Sequence, residues 1–181
     1  MPINFDTAVA IVLKFEGGAK YVVDSGGPTK YGISLRFYTK EIDPKATANT
    51  IKALTEDQAR AIYKSEFWDK CYCDQLPDSL ALAVFDTAVN MGVAEAVKLL
   101  QTEINSWHPK GVPLAVDGIM GSATIAAAIS TDTENITNSY LNRRLRLYVT
   151  LAKDKRRGIY LTGWTNRVMA LKEAIKDVGV A

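Results

Sequence analysis

The sequence predicts an α+β fold that is mainly helical, with one small β or loop region near the N-terminus and a helical C-terminal lobe. Three observations carry this. Apolar residues recur at helical spacing along most of the chain. Cap and stop signals divide that pattern into segments of ordinary helix length. Glycine and proline concentrate in one short stretch, at Gly17, Gly18, Gly26, Gly27 and Pro28, where no helix is sustained. With 181 residues and 48% apolar content the chain can bury a real core. It divides into two lobes, 1–92 and 93–181, joined as one unit.

The elements follow in order. A first helix fits 4–16, with Phe5, Ala8, Val9, Val12 and Phe15 on one stripe. Asn4 or Asp6 caps it and Gly17-Gly18 stops it. Residues 19–34 read as an irregular loop or small hairpin, with strand character centred on Tyr21, Val22 and Val23. A short helix fits 34–41, and the stretch from Asp43 to Thr50, which contains Pro44, reads as a connector. Thr55 opens a capping box with Gln58 for a helix reaching about Lys70. Pro77-Asp78 starts a core helix that ends at Gly92, with Leu80, Val84, Ala88 and Met91 as its stripe. An amphipathic helix fits 93–106, and a polar link runs from Trp107 to Pro113. The Asp117-Gly118 turn precedes a small-residue helix near 121–129; helices at 132–152 and 164–177 complete the chain. Trp68, Trp107 and Trp164 read as core or lobe-junction residues.

Net charge is only +2, but it is uneven. Residues 1–92 carry 10 basic and 12 acidic residues; residues 93–181 carry 12 and 8. Much of the excess lies between Arg143 and Arg157, a segment that suits either an anionic partner such as an envelope surface or a solvated helix face. A nucleic-acid role would use the same segment but leave the glycine-rich loop unexplained, so no nucleic-acid partner is expected. The N-terminus has no basic residue before Lys14, and Asp6 interrupts its apolar stretch, so no signal peptide is expected. No apolar run is long enough for a membrane span, and no stable membrane insertion is expected. Cys71 and Cys73 are too close for an unstrained disulfide, and with His108 as the sole histidine no metal site is expected. No cofactor is expected, and the chain reads as a monomer.

The chemistry concentrates between Phe15 and Ile33. Glu16 closes an apolar helical stripe just before the Gly-Gly break. Partial desolvation there, and the negative end of the helix, favour a carboxyl group that keeps its proton. Asp24 follows eight residues later and Thr29 five after that. A helix-anchored acid facing a tight loop with a carboxylate and a hydroxyl suits glycoside hydrolysis, which needs a proton donor and a second group for water. Each group also has a plain structural reading: Glu16 as a surface residue at a frayed helix end, Asp24 as a turn former and Thr29 as a cap. Gly26-Gly27-Pro28-Thr29-Lys30 lacks the spacing of a phosphate-binding loop. Asn90 lies four residues after Asp86, on the same helical face; its amide suits either a sugar N-acetyl group or a helix-to-loop bond. Tyr31 suits stacking on a sugar ring or packing in the core.

Taken together, these segments resemble glycoside hydrolase family 108, the N-acetylmuramidases common among phage endolysins. The resemblance rests on EGG at Glu16–Gly18, on the run Asp24–Ile33, on the Tyr63/Trp68 helix, on FDTAVNMG at Phe85–Gly92 and on Leu100-Gln101. The second half resembles the predicted peptidoglycan-binding region usually joined to this family, at Val116–Thr124, at Arg144/Tyr148 and at Gly163–Val168. Ala19 stands where the family usually has Tyr, and the loop before the aspartate is slightly shorter. The resemblance implies a lysozyme-like fold. It implies Glu16 as general acid, with Asp24 and Thr29 positioning water, in a muramidase that cuts the β-1,4 bond between N-acetylmuramic acid and N-acetylglucosamine. Peptidoglycan strands would be the partner, with Tyr31 and Asn90 as candidate substrate contacts. Such an endolysin would collect in the host cytoplasm and reach the wall through a separate membrane lesion. Rival readings are a lytic transglycosylase using Glu16 alone and a non-catalytic wall-binding protein.

Overall fold

The computed structural model describes residues 3–24, 26–108 and 111–179, without the side chains of 178 and 179. Ser25 of the glycine-rich loop and residues 109 and 110 of the link lie outside the described residues.

Helix α1 (Phe5–Phe15) starts where Asn4 Oδ1 accepts the Thr7 N–H at 3.0 Å. It ends in a Schellman turn: Gly18 N–H reaches Leu13 O at 3.0 Å, with Gly17 at φ +80°. Glu16 is therefore the C-cap residue, fixed in direction by the two glycines after it. Ala8, Val9, Val12 and Leu13 are buried, and Phe5 sits edge-on to Trp68 and Phe85.

Three antiparallel strands follow in the order β1 (Val22–Asp24), β2 (Gly27–Lys30) and β3 (Ile33–Ser34). The expected strand at 21–23 is thus one of three. Gly27-Pro28 opens the central strand, although such a pair reads as a turn. Tertiary anchoring overrides the local preference: Lys30 Nζ donates to Lys52 O at 3.0 Å and to Leu54 O at 2.8 Å. Its acceptors close helix α3 (Ala48–Ala53), which follows α2 (Leu35–Glu41). Helix α3 begins inside the stretch expected to be a connector. Thr50 Oγ1 accepts the Thr47 N–H at its start, and fully buried Ile51 anchors it to the core.

Helix α4 (Glu56–Tyr63) has the expected Thr55/Gln58 capping box. It continues as a π-helical turn, Lys64–Trp68, closed by the Asp69 N–H on Lys64 O at 2.8 Å. After it, a 3-10 turn (Cys73–Gln75) carries Asp74, which accepts from Trp68 Nε1 at 2.8 Å. Cys71 and Cys73 are free, buried thiols.

Helix α5 (Asp78–Met91) is the axis of the molecule; residues Leu80 to Ala88 are all buried. It packs on α1 and the π turn and also on α6 (Val93–Trp107), α8 (Thr133–Leu151) and α10 (Leu161–Gly179). Gly92, at φ +94°, joins α5 directly to α6. Between α6 and α7 (Ser122–Ser130), the side chain of Gln101 clamps the Asp117-Gly118 turn. Its Nε2 donates to Asp117 Oδ1 and its Oε1 accepts the Gly118 N–H. A short helix α9 (Lys155–Gly158), absent from the expected elements, precedes α10, which starts three residues earlier than expected. Trp68 is core and Trp164 is half-buried against Tyr148. Trp107 is 42% exposed and donates to Ser139 Oγ, so it lies outside the core. The whole is the mainly helical, lysozyme-like plan with a small sheet near the N-terminus.

Candidate active site

Glu16 is held by one ion pair and by close packing against one glycine. Arg167 Nη1, from α10, donates to Glu16 Oε1 at 2.6 Å across 151 residues of sequence. Gly32 lies on its other side: a Cβ there would stand 2.6 Å from Glu16 Oε2 and 2.6 Å from the Tyr63 hydroxyl. At φ +74° the position also demands a conformation that glycine adopts readily. Tyr63, from α4, donates to Tyr31 O at 2.7 Å and fixes the loop that brings Gly32 in. Burial, reinforced by the Glu16 charge, pushes the Tyr63 phenol well above its ordinary value, so it stays a neutral donor. The Glu16 side chain is 20% exposed, so it stands at the edge of the core.

Arg167 is itself held. Its Nε and Nη2 donate to Asp86 Oδ1 at 3.0 and 2.8 Å, a paired grip from α5. Asp86 Oδ2 accepts from Arg144 Nη1, on α8, at 2.6 Å. Arg144 Nε donates to the Tyr148 hydroxyl at 2.8 Å, and that hydroxyl donates to Asn90 Oδ1 at 2.5 Å. Asp86 and Arg144 are fully buried. Burial raises the Asp86 carboxyl, but the guanidinium groups of Arg144 and Arg167 outweigh it and hold it below the usual carboxylate range. Burial likewise works against the charge on Arg167; Asp86 and Glu16 outweigh it and raise its pKa. Arg144 Nη2 is the one buried side-chain polar atom without a partner among the described residues.

Asp24 and Thr29 lie on the hairpin. Asp24 pairs with Gly27 at its far end, and Thr29 pairs with both Val22 and Ser34. Directly paired residues share a face, so Asp24, Gly27 and Thr29 stand on one face, the two side chains diagonal at about 7–8 Å. Lys30, bound to the backbone of α3, points to the other face. Asp24 is exposed and its Oδ1 accepts the Gly26 N–H at 2.7 Å, the turn-forming bond of an aspartate. Glu16 packs beside Gly32, beyond the opposite end of β2, and neither Asp24 nor Thr29 hydrogen-bonds to it among the described residues. Tyr31 is only 8% exposed and its backbone sits at φ +52°. Its ring packs in the core cluster, with Lys30 Nζ 5.4 Å from the ring centre. Asn90 is half-buried on α5, facing α8.

The basic segment is smaller than its sequence suggests. Arg144 is wholly internal, and Arg143 pairs with Glu103 on α6 and donates to Ser106. The exposed remainder is Arg146, Lys153, Lys155, Arg156 and Arg157.

Arg167, Asp86 and Arg144 do not stand out when the sequence is read for catalytic pairs. A signal was present. Arg144 falls in register with Ile136, Tyr140, Leu141 and Tyr148 on the buried face of α8, where a solvated arginine would be out of place. Asp86 likewise interrupts the buried run of α5, so the two charges call for each other.

Comparison with known proteins agrees with this architecture. Residues 9–92 match the family model described as Glycosyl hydrolase 108, and residues 95–169 match the model described as Predicted Peptidoglycan domain. Twelve chains of solved structures match. One of them, the structure of Brucella abortus SagA, is 32% identical, with a TM-score of 0.79. The match covers 95% of this chain and 94% of that one. No curated protein matches. Glu16, Gly32, Tyr63 and Asp86 all fall within the first matched segment, and Arg144 and Arg167 fall within the second, so the ion-pair chain joins the two. The chain belongs to glycoside hydrolase family 108 and is a glycosidase that acts on peptidoglycan.

Proposed function

We propose that the protein is a muramidase that hydrolyses the β-1,4 bond between N-acetylmuramic acid and N-acetylglucosamine, with Glu16 as general acid. The observation that carries this is the fixed placement of Glu16. It caps a helix, packs against Gly32 and receives one guanidinium nitrogen from an arginine whose other two nitrogens are tied to buried Asp86. Arg167 engages Oε1, which leaves Oε2 for the proton passed to the leaving oxygen. Such preorganisation lets a proton donor act without first paying the entropy of finding its place.

Asp24 and Thr29 are the groups that position or activate water on the other side of the bond. They share a hairpin face, and glycine at position 27 keeps the space between them free of a side chain. Strand β2, about 10 Å from first to last residue at ~3.3 Å per step, separates the Asp24 end of the hairpin from the Glu16 end, so the two carboxylates approach the bond from different elements. Lysis of a phage host, from a cytoplasmic pool released through a membrane lesion, is the biological setting that fits the family resemblance.

Digestion of purified peptidoglycan by wild type and Glu16→Gln, with products resolved by mass spectrometry, tests this. Reducing muropeptides ending in N-acetylmuramic acid, from wild type alone, are the expected outcome. Anhydro products would reassign the chain to transglycosylases, and equal release by both proteins would remove Glu16 from the chemistry.

A further inference from the structure

One helical turn from the ion-pair chain lies a cavity of about 350 Å³. Asn90, Tyr148, Arg157, Tyr160 and Trp164 line it. Its position follows from helix registry. Asp86 and Asn90 are four residues apart on α5, Arg144 and Tyr148 four apart on α8, and Trp164 and Arg167 three apart on α10. Each pair shares a helical face. One member of each pair builds the chain that reaches Glu16; the other lines the cavity. The displacement is one helical turn, about 5.4 Å, comparable to the length one pyranose ring adds to a β-1,4-linked strand.

The lining is chemically specific. Trp164 stacks on Tyr148 with centroids 4.9 Å apart and meets Tyr160 at 5.8 Å, forming a continuous aromatic wall. Tyr160 is 55% exposed, so the wall reaches solvent. Flat aromatic faces suit the apolar face of a sugar ring. Asn90 Oδ1 accepts from the Tyr148 hydroxyl, and its amide N–H groups suit an N-acetyl carbonyl. Among the described residues Arg157 is the one formally charged member of the lining, and it is exposed.

We propose that this cavity is a substrate subsite for the muramyl residue, with Trp164 and Tyr160 against the ring and Arg157 paired to the carboxylate carried by its lactyl arm. That carboxylate is the lactyl group's own on a bare strand, or one on the stem peptide of a substituted strand. The proposal rests on the muramidase reading for its substrate but concerns residues outside the acid–base machinery. It gives Arg157 a specificity role that N-acetylglucosamine, which has no carboxylate, cannot engage.

The test is binding of three probes to wild type and Arg157→Gln by calorimetry: N-acetylglucosaminyl-N-acetylmuramic acid, the same disaccharide carrying a dipeptide, and chitobiose. Arg157→Gln should weaken one or both acidic probes by about tenfold, the scale of one charge-assisted pair. Chitobiose should change by less than about twofold. The more affected acidic probe identifies which carboxylate is read. Ligand-induced change in tryptophan fluorescence should vanish in Trp164→Phe, which keeps Trp68 and Trp107. Absence of binding to wild type, equal loss across all three probes, or no loss in any would overturn the subsite. Peptidoglycan digestion run in parallel separates the two ideas. Reducing muropeptides from wild type with unaltered binding in Arg157→Gln would retire the subsite alone; no such products from wild type would retire the muramidase reading.

Discussion

The two sides of the candidate active site are built in opposite ways. On the helical side, Glu16 ends a chain of charges through Arg167, Asp86 and Arg144, three of them at most 12% exposed and each held by more than one bond. On the hairpin side, Asp24 sits on an exposed three-residue strand, and among the described residues its side chain bonds to its own turn. The helical side fixes direction at a high desolvation cost; the hairpin presents a carboxylate at almost none. The two sides should therefore respond differently to mutation. Damage to the helical side should appear in folding and activity together, and damage to the hairpin in activity alone.

The largest effect on folding is expected at Asp86. Asp86→Asn leaves Arg144 buried without its counter-charge, and breaking one partner of a buried pair typically costs about 3–5 kcal/mol. For a chain of this length that lowers the melting temperature by on the order of 10 °C, readable by calorimetry. Acid dependence gives a second readout. The folded-state carboxyl of Asp86 is depressed, so its contribution is present above the unfolded value of about 3.9 and is lost as pH falls through the lower folded value. Urea unfolding from pH 6 downwards should show wild type losing stability below about pH 4, with a shallower loss in Asp86→Asn. Identical slopes would mean that Asp86 is not what acid unfolds.

Gly32→Ala should come next. The new Cβ would meet the Glu16 carboxylate and the Tyr63 hydroxyl at 2.6 Å each, in a backbone conformation at φ +74° that alanine disfavours. Strain of this kind costs about 1–3 kcal/mol. Displacing the acid by about 1 Å costs on the order of 10²-fold in turnover. Muropeptide release at saturating substrate measures the second, and denaturant titration the first. A variant with normal turnover would show that Glu16 need not be held against this loop.

How much of this was legible differs between the same two sides. The helix bearing Glu16 announced itself: an apolar stripe, an Asn cap and a Gly-Gly stop are local signals, and they placed the acid at the helix end. The Thr55/Gln58 box was equally local. Strand β2 was hidden because Gly27-Pro28 carries turn chemistry, and its pairing is stabilised by Lys30 reaching α3, a contact between residues more than twenty apart. Helix α3 was hidden by its shortness. Arg167 was hidden because nothing near it in sequence explains a half-buried arginine; its partners lie 81 and 151 residues away. What the sequence displays is local preference, and what it conceals is the long-range satisfaction of buried charge.

A smaller effect separates helix caps from the site. Thr55→Ala removes the acceptor for the Gln58 N–H at the start of α4 and should cost about 1 kcal/mol. Because α4 carries Tyr63 at its other end, two turns away, turnover should stay at the wild-type level. A fall in turnover would show that the end of α4, and with it the Tyr31–Gly32 loop, moves when the cap is lost.

Asp24→Asn should have the smallest effect on folding and is the sharpest test of the comparison. Asparagine keeps the Oδ1 that accepts the Gly26 N–H, tolerates turn geometry and adds no volume. An exposed substitution of this kind changes stability by about 0.5 kcal/mol or less. If Asp24 activates or orients water, losing its charge should still lower turnover by about 10²–10⁴-fold. Stability and turnover would then separate completely, the reverse of Asp86→Asn, where they fall together. If both fall in Asp24→Asn, the hairpin is a structural element and its aspartate a turn former. If neither falls, the water is handled elsewhere, and Thr29→Val, which removes only the hydroxyl at a paired strand position, decides whether this face of the hairpin takes part at all.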